Sequence, residues 1–352
     1  MNRFAFLSEQ TDRRRVPVAL LSGFLGSGKT TLVNALLTDS RMAGTAVAVN
    51  EFGEIPLDRD LIDHGADKTV VMANGCLCCN LAGDMEDAVM RLFSRREGGQ
   101  VPRFDRLLIE PSGLADPAPI VQAILRNPVM SRVFRLDCIV TTVDALFAAS
   151  QLARHPETRK QVALADRLVL TKPDLVPAEA IDRLRADLRD HNPAAPILVA
   201  SHGAIDAASL FPAVFFDPAS AAAAPSRSGL FGERVDPDHA ARHQSVSLVA
   251  GGKLHWRRFD EWLRGIRLTH ADQLLRVKAM LAIDGVDGPV VVQGVHHVMD
   301  APVELEAWPA GERLSRLVLI GDHATIAAAR ESWAEALPGM AATNQEESPC
   351  AP

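Results

Sequence analysis

The chain has 352 residues, enough for about two domains at roughly 150 residues each, and its 47% hydrophobic and 23% charged content is that of a soluble globular protein. Thirty-seven basic residues against 44 acidic ones leave a net charge of −7, and with no tyrosine and 5% aromatics the chain has neither a basic field nor a stacking platform for nucleic acid. No apolar run reaches the roughly 18 residues of a membrane span, and Glu9, Asp12 and three arginines close to the start argue against a signal peptide.

From Val16 onward, short apolar runs alternate with amphipathic stretches. Residues 16–21, 45–49, 69–72, 106–109, 137–143, 167–170 and 197–200 read as strands buried on both faces, and residues 30–37, 84–93 and 178–190 as crossover helices. The pattern predicts an α/β domain over residues 16–212, with a largely parallel sheet and helices on both faces. Residues 218–232, rich in Ala, Pro, Ser and Gly, have no period and read as part of a linker over 213–244.

Beyond the linker, apolar segments at 245–249, 274–283, 289–293 and 316–320, with helices at 256–264 and 325–337, predict a smaller α+β domain over 245–337. Residues 1–15 and 338–352 read as tails, the second polar enough to be disordered.

Gly23-Phe24-Leu25-Gly26-Ser27-Gly28-Lys29-Thr30 fits G-x-x-x-x-G-K-[ST] and lies between a strand and a helix, where a phosphate loop belongs. Gly23, Gly26, Ser27 and Gly28 let backbone N–H groups point at phosphate oxygens; Lys29 reaches the β- and γ-phosphates and Thr30 offers a hydroxyl to Mg²⁺. Thr31 follows in the first helical turn, whose dipole adds positive potential. This is a nucleoside-triphosphate site of the P-loop NTPase kind.

Such a site needs an acidic residue at the end of another strand to hold Mg²⁺. Glu110, followed by Pro111-Ser112-Gly113, fits, and Gly113 can approach a γ-phosphate through its backbone; taken alone, an acid there is as well explained as a helix cap. Thr171-Lys172-Pro173-Asp174 follows the strand at 167–170. Asp174 can accept from guanine N1–H and N2, a donor pair that adenine lacks, while the Lys172 stem can lie beside the base. The usual form of this element begins with Asn, so Thr171 bears on how strongly GTP is preferred over ATP.

Five cysteines with no export signal point to a reduced, cytoplasmic compartment. Cys76, Cys78 and Cys79 crowd into four residues after Gly75. Three thiols so placed can converge on a soft or borderline metal such as Zn²⁺, Cu⁺ or Co²⁺, with water, Glu51, Glu54 or His64 as the fourth ligand. A redox pair at Cys76 and Cys79 and plain structural cysteines are the competing readings. Cys138 reads as core.

Together these motifs resemble the CobW-like metallochaperone GTPases, relatives of the urease and hydrogenase nickel-insertion GTPases. Besides the phosphate loop, the resemblance rests on Asn50-Glu51-Phe52-Gly53-Glu54, Gly75 to Cys79, Glu110 to Pro117, Ala165-Asp166, Lys172 with Asp174, Leu275 to Lys278 and Val292 to His297, and it covers residues 16–333. It implies a CobW C-terminal-type second domain, and GTP hydrolysis assisted by Mg²⁺ at Thr30 and Glu110. It further implies Zn²⁺ or Co²⁺ on Cys76, Cys78 and Cys79, Glu51 in a nucleotide-sensing loop, and delivery of the metal to a client metalloprotein through the C-terminal domain and switch loops.

Pro56 stands where a small flexible residue is commoner, and only His239 and His243 occupy the region where many relatives carry a histidine-rich stretch. His296 and His297, adjacent on an expected strand, should point to opposite faces and serve structure or a client rather than one metal. A small-molecule kinase would share the phosphate loop but leave the thiols unexplained, and a metal buffer or sensor would hold nucleotide without turnover. No membrane or nucleic-acid partner is expected.

Overall fold

The computed structural model describes residues 15–50, 70–74, 81–211, 243–305, 307–308 and 313–336. Residues 213–242 of the expected linker, nearly all of both tails, and the segments carrying Glu51, Glu54, His64, Cys76, Cys78 and Cys79 lie outside the described residues.

Seven strands form the first sheet: β1 (Val16–Gly23), β2 (Thr45–Asn50), β3 (Val70–Asn74), β4 (Arg106–Glu110), β5 (Phe134–Asp144), β6 (Arg167–Thr171) and β7 (Ile197–Ala200). They lie in the order β3-β2-β4-β1-β5-β6-β7, and every pairing is parallel. Parallel neighbours need crossovers, and the described helices supply most of them: α1 (Lys29–Leu37), α2 (Leu81–Glu97), α3 (Pro117–Arg126), α4 (Met130–Val133), α5 (Ala148–Arg154), α6 (Pro156–Leu164) and α7 (Ala178–His191). A single turn, α8 (Ala207–Leu210), follows β7. Helices covering both faces explain why β1 and β6 read as unbroken apolar runs.

The second sheet is antiparallel, with β8 (Gln244–Ala250), β9 (Leu274–Leu281), β10 (Val290–Val295), β11 (Val298–Met299), β12 (Val303–Glu304) and β13 (Ser315–Gly321) in the order β11-β10-β9-β13-β8, β12 pairing with β10. Alternation divides its faces. Val277, Ala279, Leu281, Leu317 and Leu319 pack under α9 (Trp256–Thr269) and α10 (His323–Ala336), where Trp262 and Trp333 meet edge to face at 5.0 Å.

Met280, Val295, Val318 and Ile320 face the other way and join one apolar core with Leu136, Ile139, Ala163 and Leu164 of the first domain. The smaller domain therefore shares a buried seam with the larger one. Arg15, the last residue of the expected N-terminal tail, reaches across it to Asp300 at 3.3 Å.

One expectation is corrected. His296 and His297 do not lie on a strand; they form the two-residue turn between β10 and β11, closed by the Val295–Val298 pair, with His296 at φ 53. A tight hairpin needs positive φ in its turn, and the antiparallel register leaves these two residues no other place.

Candidate nucleotide and metal site

β1 runs into the phosphate loop because Gly23, at φ 140, turns where a side chain would collide: a Cβ there would lie 2.2 Å from Thr142 Oγ1. Gly28, at φ 88, caps α1 in the left-handed conformation. Ser27 is fully buried, its hydroxyl 2.7 Å from that of Thr142. Lys29 is held inside the loop, donating to Gly23 O at 3.0 Å and Phe24 O at 3.2 Å. Gly26 and Thr31 lie exposed at the rim.

β4 lies directly beside β1, with Leu20 opposite Ile109, so the end of β4 arrives at the start of α1. There Thr30 Oγ1 donates to Glu110 Oε1 at 2.9 Å, and Glu110 is only 4% exposed. A buried carboxylate and a hydroxyl at the mouth of a phosphate loop are the donor set a hard divalent cation takes. Gly113 presses on the loop; a Cβ on it would lie 2.5 Å from Leu25 N.

On the far side, Lys172 takes φ 53 and turns its ammonium onto Gly26 O at 2.8 Å and the buried Asp144. Thr171 Oγ1 donates to Ser27 O at 2.8 Å. Asp174, in the short turn Pro173–Leu175, is exposed and makes no hydrogen bond or ion pair among the described residues, which leaves its carboxylate open to solvent.

Sequence reasoning passed over a second ring of residues. Gln161, buried in α6, donates its amide to Gly113 O at 3.0 Å and Ala115 O at 3.1 Å, and its neighbour Lys160 pairs with Asp116 at 2.7 Å. Two side chains of one helix thus grip the loop that begins at Glu110. A lone Gln-Lys pair carries no motif, so only the packing reveals them. Gly203, in the turn after β7, packs on Thr31 O and Ala35 of α1.

The metal-ligand candidates lie outside the described residues, which include the strands that precede them in the sequence. Val49 of β2 is registered with Glu110 and Asn50 with Asn74. β2 and β3 therefore end side by side, on the edge that bears the phosphate loop. Among the described residues no three His, Cys, Asp or Glu side chains form a metal-binding group. Cys138 is core, as expected, and burial pushes its thiol up, away from the reactive thiolate.

The profile of the CobW/HypB/UreG nucleotide-binding domain matches residues 17–199, and that of the cobalamin synthesis protein cobW C-terminal domain matches residues 243–337. The chain belongs to the CobW/HypB/UreG family. Among its relatives, the zinc chaperone YjiA of Escherichia coli is 34% identical over 315 residues, covering 87% of this chain and 94% of that protein. The zinc chaperone CobW of Pseudomonas aeruginosa is 31% identical, covering 89% and 90%.

The crystal structure of the zinc-bound YjiA GTPase from E. coli superposes with a TM-score of 0.66 at 28% identity, covering 91% of this chain and 98% of that one. The resemblance read from the motifs therefore holds across both domains of the family. No described helix is long and apolar enough to cross a membrane.

Proposed function

We propose that the chain is a GTP-hydrolysing zinc chaperone, in which Cys76, Cys78 and Cys79 bind the metal and nucleotide turnover governs its release to a client protein. One observation carries the reading. Asn74, two residues before the first thiol, sits two strands from Glu110, the acid at the phosphate loop. Strand spacing makes that about 10 Å, so the strand that precedes the thiols in the sequence ends on the same edge of the sheet as the acid at the phosphate loop. The named relatives, zinc chaperones and a zinc-bound GTPase, support the same activity and cargo.

In this reading the loop amides and Lys29 cradle the phosphates, and Gly113 abuts the γ-phosphate. Thr30 and Glu110 would hold Mg²⁺, which neutralises charge on the phosphate oxygens. Asp174 reads the base, and Glu51, with its neighbours up to Glu54, senses the γ-phosphate. Three thiolates are a set that Zn²⁺ accepts readily and Co²⁺ can share, with the fourth position left for water or a client ligand. The protein works in the cytoplasm, where thiols stay reduced.

Phosphate release from GTP, followed together with zinc transfer to a chromogenic chelator, tests the proposal. Zinc transfer should track phosphate release and stop with a non-hydrolysable analogue. Transfer at the same rate without hydrolysis would leave a metal buffer, and transfer of the γ-phosphate to a metabolite would leave a kinase.

A further inference from the structure

Thr171 ends β6 where the guanine element begins, and it is 6% exposed. Its hydroxyl has one proton. Two backbone carbonyls surround the oxygen, Ser27 O at 2.8 Å and Val143 O at 3.3 Å. A carbonyl only accepts, so the proton is committed within the protein, to the nearer oxygen of the phosphate loop. The methyl of Thr171 lies against Gly28, 3.5 Å from where a Cβ would be. Toward a base, this side chain can offer lone pairs and a methyl, and no donor.

Guanine N7 is an acceptor. An amide at position 171 would carry two protons, one for Ser27 O and one left for an acceptor such as N7, whereas the hydroxyl performs only the first task. Lys172, the adjacent cation, directs its ammonium to Gly26 O and Asp144. We infer that Thr171 ties β6 to the phosphate loop and leaves N7 of the nucleotide unread, so that base selection runs through the N1–H and N2 edge held by Asp174. This rests on the GTP reading above. It makes the site tolerant of purines altered at N7 and intolerant of purines altered at N2.

Equilibrium competition against a fluorescent guanine nucleotide, using GTP, 7-deaza-GTP, ITP and ATP, tests it. On the unmutated chain, GTP and 7-deaza-GTP should bind within twofold of each other, while ITP and ATP, which lack the N2 amine, bind about tenfold or more weaker. Thr171→Asn should create a preference for GTP over 7-deaza-GTP of about 3- to 10-fold, the worth of one neutral hydrogen bond. Thr171→Val should weaken GTP and 7-deaza-GTP by the same factor, since it loses only the tie to Ser27.

A deficit of fivefold or more for 7-deaza-GTP on the unmutated chain, or an unequal loss in Thr171→Val, would overturn the inference while the GTP reading stands. Equal binding of GTP and ATP would instead remove the GTP reading, and the inference with it.

Discussion

Arg276 Nη2 donates to both carboxylate oxygens of Asp166, at 2.7 and 2.9 Å, joining the second domain to the first through two side chains that are 2% and 3% exposed. Lys278 Nζ adds a third bond at 3.2 Å, and Ile139 N a fourth at 2.9 Å. Around them Arg276 Nη1 donates to Gly294 O, and Gln293 to Leu136 O. Asp166 immediately precedes β6, the strand that ends at Thr171. The second domain is therefore anchored to the base of the strand that ends at Thr171 and leads into Lys172 and Asp174.

Removing the carboxylate should cost more than the pair contributes, because two buried cations would be left facing a neutral group. For Asp166→Asn we expect a loss of about 3–5 kcal/mol in urea unfolding. Replacing the triad together, as Asp166→Leu, Arg276→Met and Lys278→Met, should lose less than Asp166→Asn alone, since no unpaired charge remains. The same titration should show the tryptophan-fluorescence transition ahead of the circular-dichroism one in Asp166→Asn, because all four tryptophans, at 256, 262, 308 and 333, lie in the second domain.

The seam also carries a pH dependence, in which a carboxyl and two imidazoles act with the same sign in different pH ranges. Burial raises the Asp166 carboxyl, but Arg276 and Lys278 overcome it and hold it well below the ordinary range. Its stabilisation is complete above about pH 4 and is lost only as pH falls further. His243 and His296 are pushed down chiefly by burial, with Lys160 adding to the shift and Asp116 opposing it at His296. A depressed imidazole contributes stability above about pH 6.5 that is lost as pH falls through its folded value. Melting temperature should therefore fall between pH 7.5 and 5.5, less so in His296→Gln, while Asp166→Asn keeps the slope of the unmutated chain.

Reading forward from the sequence, the sheet was legible because parallel strands covered on both faces must be continuous apolar runs, and the phosphate loop because its glycines are forced by φ. Glu110 was legible from its position after a strand. What escaped was contact across the chain: Gln161 gripping Gly113, and the bond from Arg276 to Asp166 over 110 positions. Asp166 and Arg276 were visible as parts of a family pattern, yet nothing local says that one is the counter-ion of the other. The histidine turn was misread because alternation alone cannot show where a strand stops, and His at φ 53 is an uncommon choice.

At the phosphate loop, Lys29→Ala should abolish hydrolysis and leave the fold intact. The loop's shape comes from its glycines and from Thr142 and Ser27, so the lysine is not needed to form it. Its loss removes charge stabilisation at the phosphates, worth about 10²- to 10³-fold in turnover. Steady-state phosphate release with a circular-dichroism control checks this. Glu110→Gln should raise the Mg²⁺ concentration at half-maximal rate, since an amide is a poorer ligand for a hard cation than a carboxylate.

The last prediction concerns coupling, because a GTPase with cysteines becomes a chaperone only if the two sites sense each other. Val49, opposite Glu110, and Asn50, opposite Asn74, form a two-step ladder from the acid at the phosphate loop to the strand that precedes the thiols in the sequence. If GTP biases the segment beyond Asn50, metal affinity must differ between the GTP and GDP states, and linkage requires metal to change GTP affinity by the same factor. A working switch needs about 1–3 kcal/mol, or roughly 5- to 150-fold. Anaerobic zinc titration against competing chelators should show tighter binding with GTP than with GDP. Affinity should weaken as pH falls, since protons compete for the thiolates. Cys76→Ser, Cys78→Ser and Cys79→Ser combined should erase the difference while GTP alone binds as before. Gln161→Leu should shrink it without touching either ligand, by releasing Gly113 and Ala115 from α6. Equal zinc affinity in the GTP and GDP states of the unmutated chain would mean that hydrolysis cannot drive release.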